Sequence, residues 1–180
     1  WVRDAAYYVE LSGSPATLGS DASYLRFYGR AERVWPIKGP WHVRGRTEIG
    51  TSWVDDFSAL PASQRFFTGG DRSVRGFALN ELSPPLEDGA GASTSGEGGG
   101  GEHKVVASSE LERDCPLNCR GAVFFDTGNA FNDWSTPLEY SAGIGVRWRL
   151  PMLMIGFDIA QALSQSGRNP RFHLNITQVL

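Results

Sequence analysis

Lysine is nearly missing from this chain. Only Lys38 and Lys104 among the 17 basic residues are lysine, and the other 15 are arginine. A soluble surface normally mixes in far more lysine, whereas arginine is preferred where a cation is held in a partly buried, multiply hydrogen-bonded pair. Long apolar runs are missing too. The longest candidate, Met152 to Ile159, is broken by Gly156 and Asp158, well short of the ~18 residues that read as a membrane helix. Helical periodicity is essentially absent. Histidine is limited to His42, His103 and His173, on different predicted strands, and the two cysteines lie far from them, so a four-ligand zinc site is not expected. No G-x-S-x-G elbow and no Walker lysine occur, which leaves hydrolase and phosphate-loop chemistry without a motif. No catalytic residue, metal or cofactor is predicted. A formal net charge of −3 offers no general attraction for nucleic acid.

Glycine and aromatics are abundant instead, with 22 Gly, 6 Trp, 5 Tyr and 10 Phe. They fall into an alternating pattern. Trp41 to Trp53 places Trp41, Val43, Gly45, Thr47, Ile49, Thr51 and Trp53 on one parity, and His42, Arg44, Arg46, Glu48, Gly50 and Ser52 on the other. That is a period-two strand with one apolar and one charged face. Indoles at both ends of the apolar face resemble the girdles of membrane barrel strands more than the outer face of a soluble sheet. The rhythm recurs in Tyr24 to Trp35, His103 to Glu112, Arg120 to Asn129, Tyr140 to Leu150, Leu153 to Ile159 and Phe172 to Leu180. A weaker segment at Ala5 to Leu11 brings the expected total to eight strands. The predicted fold class is all-β, an antiparallel transmembrane barrel. Short links such as 36–39, 115–119 and 150–151 alternate with longer ones, as in outer-membrane barrels. The longest connection, 55–101, ends in a glycine-rich low-complexity tail with linker composition.

Within that connection lies FFTGGDRSVRGFALNEL, Phe66 to Leu82. The FTGG of Phe67 to Gly70 followed by the VRGF of Val74 to Phe77 resembles the long extracellular loop of the outer-membrane assembly barrels, the BamA and TamA proteins with their two-partner-secretion relatives. The resemblance continues through VVASSELE at Val105 to Glu112, GAVFFDTGNAF at Gly121 to Phe131, GIGVRW at Gly143 to Trp148 and the C-terminal strand. The fifth and sixth strands look most like TamA. Independently of the likeness, Gly69, Gly70 and Gly76 permit backbone conformations closed to other residues. Arg75 is then placed in the lumen, and Glu110 and Asp126 share the lumen-facing parity of adjacent strands. The resemblance implies that these two carboxylates hold the loop arginine. Arg26, Arg30, Arg44, Arg46, Glu48, Arg147 and Asp158 read as a cross-strand charge ladder. Trp41, Trp53, Tyr140 and Trp148 read as interface girdle.

An eight-stranded barrel has an interior just filled by side chains, too narrow for these arginines and a long loop together. By resemblance, residues 1–180 are the C-terminal half of a sixteen-stranded barrel of the bacterial outer membrane, with the soluble POTRA domains absent. The chain opens without a methionine, which fits an excised or mature piece. The implied role is insertion of unfolded β-barrel or autotransporter clients, or envelope lipid transport with a TamB-like periplasm-spanning partner. The implied route is a weak lateral seam at the last strand (Phe172, Leu174, Asn175, Ile176, Leu180). Outer-membrane lipid is the other expected partner. Alternatives are a BamA-type or two-partner-secretion transporter and, from another class, a passive porin-like channel. In an oxidising compartment the C-P-L-N-C spacing predicts a short disulfide between Cys115 and Cys119.

Overall fold

The computed structural model describes residues 5–14, 23–85 and 99–178. Eight strands form one sheet in chain order: β1 (Ala5–Ser14), β2 (Tyr24–Pro36), β3 (Trp41–Val54), β4 (His103–Cys115), β5 (Cys119–Phe131), β6 (Glu139–Arg149), β7 (Leu153–Ala162) and β8 (Arg171–Gln178). Every neighbouring pair is antiparallel. Residues 37–40, 116–118 and 150–152 turn the chain at one end of the sheet, and the longer connections gather at the other. The expected strands are all present, with several ends extended. β1 continues through Ser12, Gly13 and Ser14, and β7 through Ala160, Gln161 and Ala162. In these stretches serine, glycine and alanine, with Gln161 among them, blur the alternation of the side chains while the backbone ladder continues.

Alternation sorts the side chains onto two faces. On β5, Val123 and Phe125 are exposed, while Phe124 and Asp126 between them are buried. On β8, Phe172, Leu174 and Ile176 are exposed and His173 and Asn175 are half-buried. Tyr7, Ile49, Ile144, Phe157 and their neighbours extend the apolar outer face across the sheet. A contiguous apolar face of this extent is not stable in water and calls for lipid or a partner. Trp41, Trp53, Tyr140 and Trp148 are all exposed at the ends of outward-facing rows, where amphipathic rings suit a membrane boundary. Among the described residues no helix is long and apolar enough to cross a membrane.

The other face is occupied by the described residues of the long β3–β4 connection, 55–85 and 99–102. They include a 3-10 turn at Ala62–Gln64 and a bridge between Phe66 and Gly101. The buried apolar cluster lies where this loop meets the sheet, formed by Val74, Phe77 and Leu82 of the loop with Ala162 of β7. The core of the molecule is thus between loop and sheet.

Candidate functional site

The loop folds back on itself before it reaches the sheet. Gly69 and Gly70 have φ of +110° and +97°, in the left-handed half of conformational space where L side chains are strained. The Gly69 amide donates to Ser73 Oγ at 2.8 Å, and the Gly70 amide donates to the Phe77 carbonyl at 3.1 Å. The Phe77 amide returns to the Val74 carbonyl at 3.1 Å, closing a tight turn with Arg75 and Gly76 at its tip. Gly76 is needed for space. A Cβ there would lie 2.5 Å from Ser141 Cβ and 2.7 Å from the Ala162 amide nitrogen. Its own amide donates to Ser141 Oγ at 3.1 Å, so the tip rests directly on β6 and β7.

From that tip Arg75 enters a nest of acids. Its Nε and Nη2 each lie 2.8 Å from the two oxygens of Asp126 on β5, a bidentate pair. Nη1 reaches Glu110 of β4 at 2.8 Å and Asp158 of β7 at 3.4 Å. Nη2 also donates to Ser108 Oγ at 3.3 Å, and Ser108 donates to Asp126 at 2.6 Å. The guanidinium carbon sits 3.3 Å from the centroid of the Phe124 ring, in cation–π contact. Arg75, Glu110, Asp126 and Asp158 are all buried. Burial alone disfavours the arginine's charge, but Asp126, Glu110 and Asp158 outweigh that and raise its pKa further. Two carboxylates three strand spacings apart, roughly 14 Å in a flat sheet, converge on a single nitrogen. Side chains stand perpendicular to a sheet, so this convergence records a sheet curled around the loop.

Sequence reasoning placed Glu110 and Asp126 beside Arg75, and both are there. Asp158 and Arg147, read as ladder residues, belong to the same cluster. Arg147 pairs with Asp158 and lies 3.4 Å from Glu110. Arg46 was also assigned to the ladder; it donates instead to the Ser73 carbonyl of the loop at 3.1 Å. Ser108, Phe124, Ser141 and His173 were not singled out. His173 Nε2 lies 2.7 Å from the Arg75 carbonyl oxygen. The remaining ladder runs through Arg26–Glu10 (2.7 Å), Arg44–Glu32 (2.7 Å), Arg44–Glu112 (2.8 Å), Arg120–Glu112 (2.9 Å) and Lys104–Glu48 (2.8 Å). Arg30 lies 3.2 Å from Glu32 and 3.9 Å from Glu48. Together with Arg46, Arg75 and Arg147, the ladder residues Arg26, Arg30, Arg44 and Arg120 place seven of the 15 arginines on this inner face. On the short-turn side of the loop Arg30, Glu32, Arg44, Glu112 and Arg120 line a cavity of about 1040 Å³.

Two expectations are corrected or lie outside the description. Cys115 and Cys119 are direct register partners across the β4–β5 turn, yet both are free thiols, so the predicted disulfide is not formed in this structure. The reactive groups stand opposed at an exposed turn, and pairing there is a matter of oxidation rather than of chain geometry. Leu180 of the expected seam strand lies outside the described residues. No group of three or more His, Cys, Asp or Glu residues suited to a metal is found among those described.

The Omp85 superfamily domain matches residues 5–179. The outer membrane protein assembly factor BamA of Nitratidesulfovibrio vulgaris is 26% identical over 183 residues, covering 94% of this chain and 22% of that protein. Among solved structures, BamA from Haemophilus ducreyi lacking POTRA domains 1–3 superposes with a TM-score of 0.72 at 22% identity, over 99% of this chain and 40% of that one. CdiB from Acinetobacter baumannii gives a TM-score of 0.58 at 14% identity, over 98% and 30%. The chain therefore spans well under half of the relatives it resembles, and its eight antiparallel strands match part of the BamA barrel. With the family domain covering nearly all of its length, the chain belongs to the Omp85 superfamily, a β-barrel family of the bacterial outer membrane.

Proposed function

We propose that this chain is the C-terminal half of a sixteen-stranded barrel that assembles β-barrel or autotransporter clients in the outer membrane. The single observation that carries the reading is the loop seated on the inner face through Arg75 and three carboxylates. A passive pore needs a clear lumen, and its charge ladder needs no glycine-flanked arginine. A loop held from β4, β5 and β7 obstructs conduction and rigidifies one wall of the barrel. In this reading the short turns face the periplasm and the VRGF loop enters from outside. The terminal strand β8 pairs with the first strand of an upstream half across a weak seam. Opening that seam offers backbone donors and acceptors to an incoming client strand, which gains affinity with little sequence demand.

Within the superfamily, GAVFFDTGNAF and GIGVRW support a TamA-type assignment with a TamB-like periplasm-spanning partner, and the resemblance to BamA supports the general assembly role. The test is made in the full-length protein, with engineered cysteines joining β8 to the first strand of the barrel. Oxidation should stop client assembly and reduction should restore it. Full activity with the seam locked, or large stable conductance from the unlocked protein, would contradict the proposal.

A further inference from the structure

Among the described residues, β8 has one ladder partner, β7. Its outward residues are Phe172, Leu174 and Ile176, all apolar and of similar size. Alternation forbids a one-residue slip, because that would turn every side chain to the wrong face. A two-residue slip keeps the faces and exchanges one apolar residue for another. Nothing on the outer face distinguishes the registers. The inner face does, through contacts with the loop. His173 stands opposite Asp158, and its Nε2 lies 2.7 Å from the Arg75 carbonyl oxygen. A carbonyl only accepts, so His173 donates from Nε2. The acceptor is backbone at the tip of the buried turn, itself fixed by Asp126 on the Arg75 amide and Ser141 on the Gly76 amide. A second contact lies nearby, where Glu81 of the loop pairs with Arg168 and lies 3.8 Å from Arg171 at the start of β8.

We infer that His173 is a register latch, a positioning residue that ties the terminal strand to the VRGF turn. The loop thereby does more than fill the barrel. It sets which residues of β8 lie opposite β7, and so which donors and acceptors β8 presents on its free edge. A two-residue slip of about 6.6 Å carries the imidazole out of reach of the carbonyl. It brings either Arg171 or Asn175 to the place of His173, neither matching an imidazole in length and shape. This deepens the assembly proposal, on which its meaning for client templating rests, but the latch itself is a property of the folded sheet.

The test uses the full-length protein with Cys115 and Cys119 changed to Ser and one cysteine at Phe157. A second cysteine goes at Leu174, its register partner, or at Phe172 or Ile176 to report slippage. Parent protein should cross-link through 174 alone on oxidation. His173→Phe, which keeps bulk and removes the donor, should raise the slipped-to-registered ratio about fivefold, the size expected for one lost hydrogen bond. His173→Gln, whose amide nitrogen reaches to the same depth as Nε2, should restore the parent pattern. Should the Phe variant fail to fold, His173→Ala carries the same comparison against Gln. Exclusive registered cross-linking in both Phe and Ala variants would overturn the latch, as would a Gln variant that slips as much as Phe. Slippage in the Phe variant with undiminished client assembly would uphold the latch and contradict the seam proposal.

Discussion

Arg75→Ala is the most informative single perturbation of the loop. The guanidinium makes a bidentate pair with Asp126, meets Glu110 at 2.8 Å and Asp158 at 3.4 Å, and covers the Phe124 ring. Removing it leaves Glu110 and Asp158 facing Arg147, and strips the buried Asp126 carboxylate of its bidentate partner. Breaking a buried pair in this way typically costs about 3–5 kcal/mol, because the remaining charge loses its compensation. Spread over the seating equilibrium of the loop, that is roughly a hundredfold to a few thousandfold, at 1.4 kcal/mol per decade. The assay is limited proteolysis of the loop in lipid-embedded full-length protein, paired with the temperature at which the barrel unfolds in detergent. Arg75→Ala should expose the 66–82 stretch to cleavage and lower the unfolding temperature. Arg75→Lys should fall between, since it keeps a charge and loses the planar fork. Arg72→Ala is the control, because Arg72 is exposed three residues away. If Arg75→Ala is cleaved no faster than Arg72→Ala and unfolds at the same temperature, the pinning argument is wrong.

Other outcomes follow from the same geometry. Gly76→Ala puts a Cβ against Ser141 and the Ala162 backbone; overpacking of this kind costs about 1–3 kcal/mol, and protease access to the loop should rise with all charges intact. The Glu81 carboxyl is pushed up by partial burial, but the Ala78 amide and the Arg168 and Arg171 charges outweigh this and hold it below the ordinary value. A depressed folded-state pKa contributes stability present above the unfolded value and lost as pH falls through the folded one. Loop protection should therefore weaken on acidification below the ordinary glutamate range, and Glu81→Gln should flatten that part of the profile. Cys115 and Cys119 are free but directly opposed; mild oxidant should close an intramolecular disulfide, read as a loss of two thiols to an alkylating reagent, and oxidised protein retaining both thiols would contradict this.

The strands were legible because a lipid-facing sheet requires apolar residues on one parity and a wet or ion-paired interior requires polar residues on the other. Where the apolar alternation gives out, in the small residues Ser12 to Ser14 and in Ala160 and Ala162 around Gln161, the ends were not. Glu110 and Asp126 were legible as partners of Arg75 because they lie on adjacent strands and share one parity. Asp158 was not, since β7 lies two strands beyond β5 and only curvature brings its carboxylate back to Arg75. The linear pattern placed Asp158 on the inner face but carried little trace of that curvature. Phe124 did leave one, an aromatic on an otherwise polar parity. It occupies space that Gly143 frees on the neighbouring strand, where a Cβ would overlap the ring. His173 shared the inward parity of β8, but its acceptor is a backbone carbonyl, which no side-chain pattern announces.

The account's central claim is that Arg75 and the strand carboxylates hold the loop in place as one coupled unit. A double-mutant cycle between Arg75→Ala and Asp126→Ala, read as urea unfolding of the lipid-embedded full-length protein, tests it most directly. Each single change should destabilise strongly, and the double mutant should be no worse than the harsher single, leaving a coupling of about 2 kcal/mol or more, within the range that hydrogen-bonded charge pairs show. Additive losses with no coupling would contradict it.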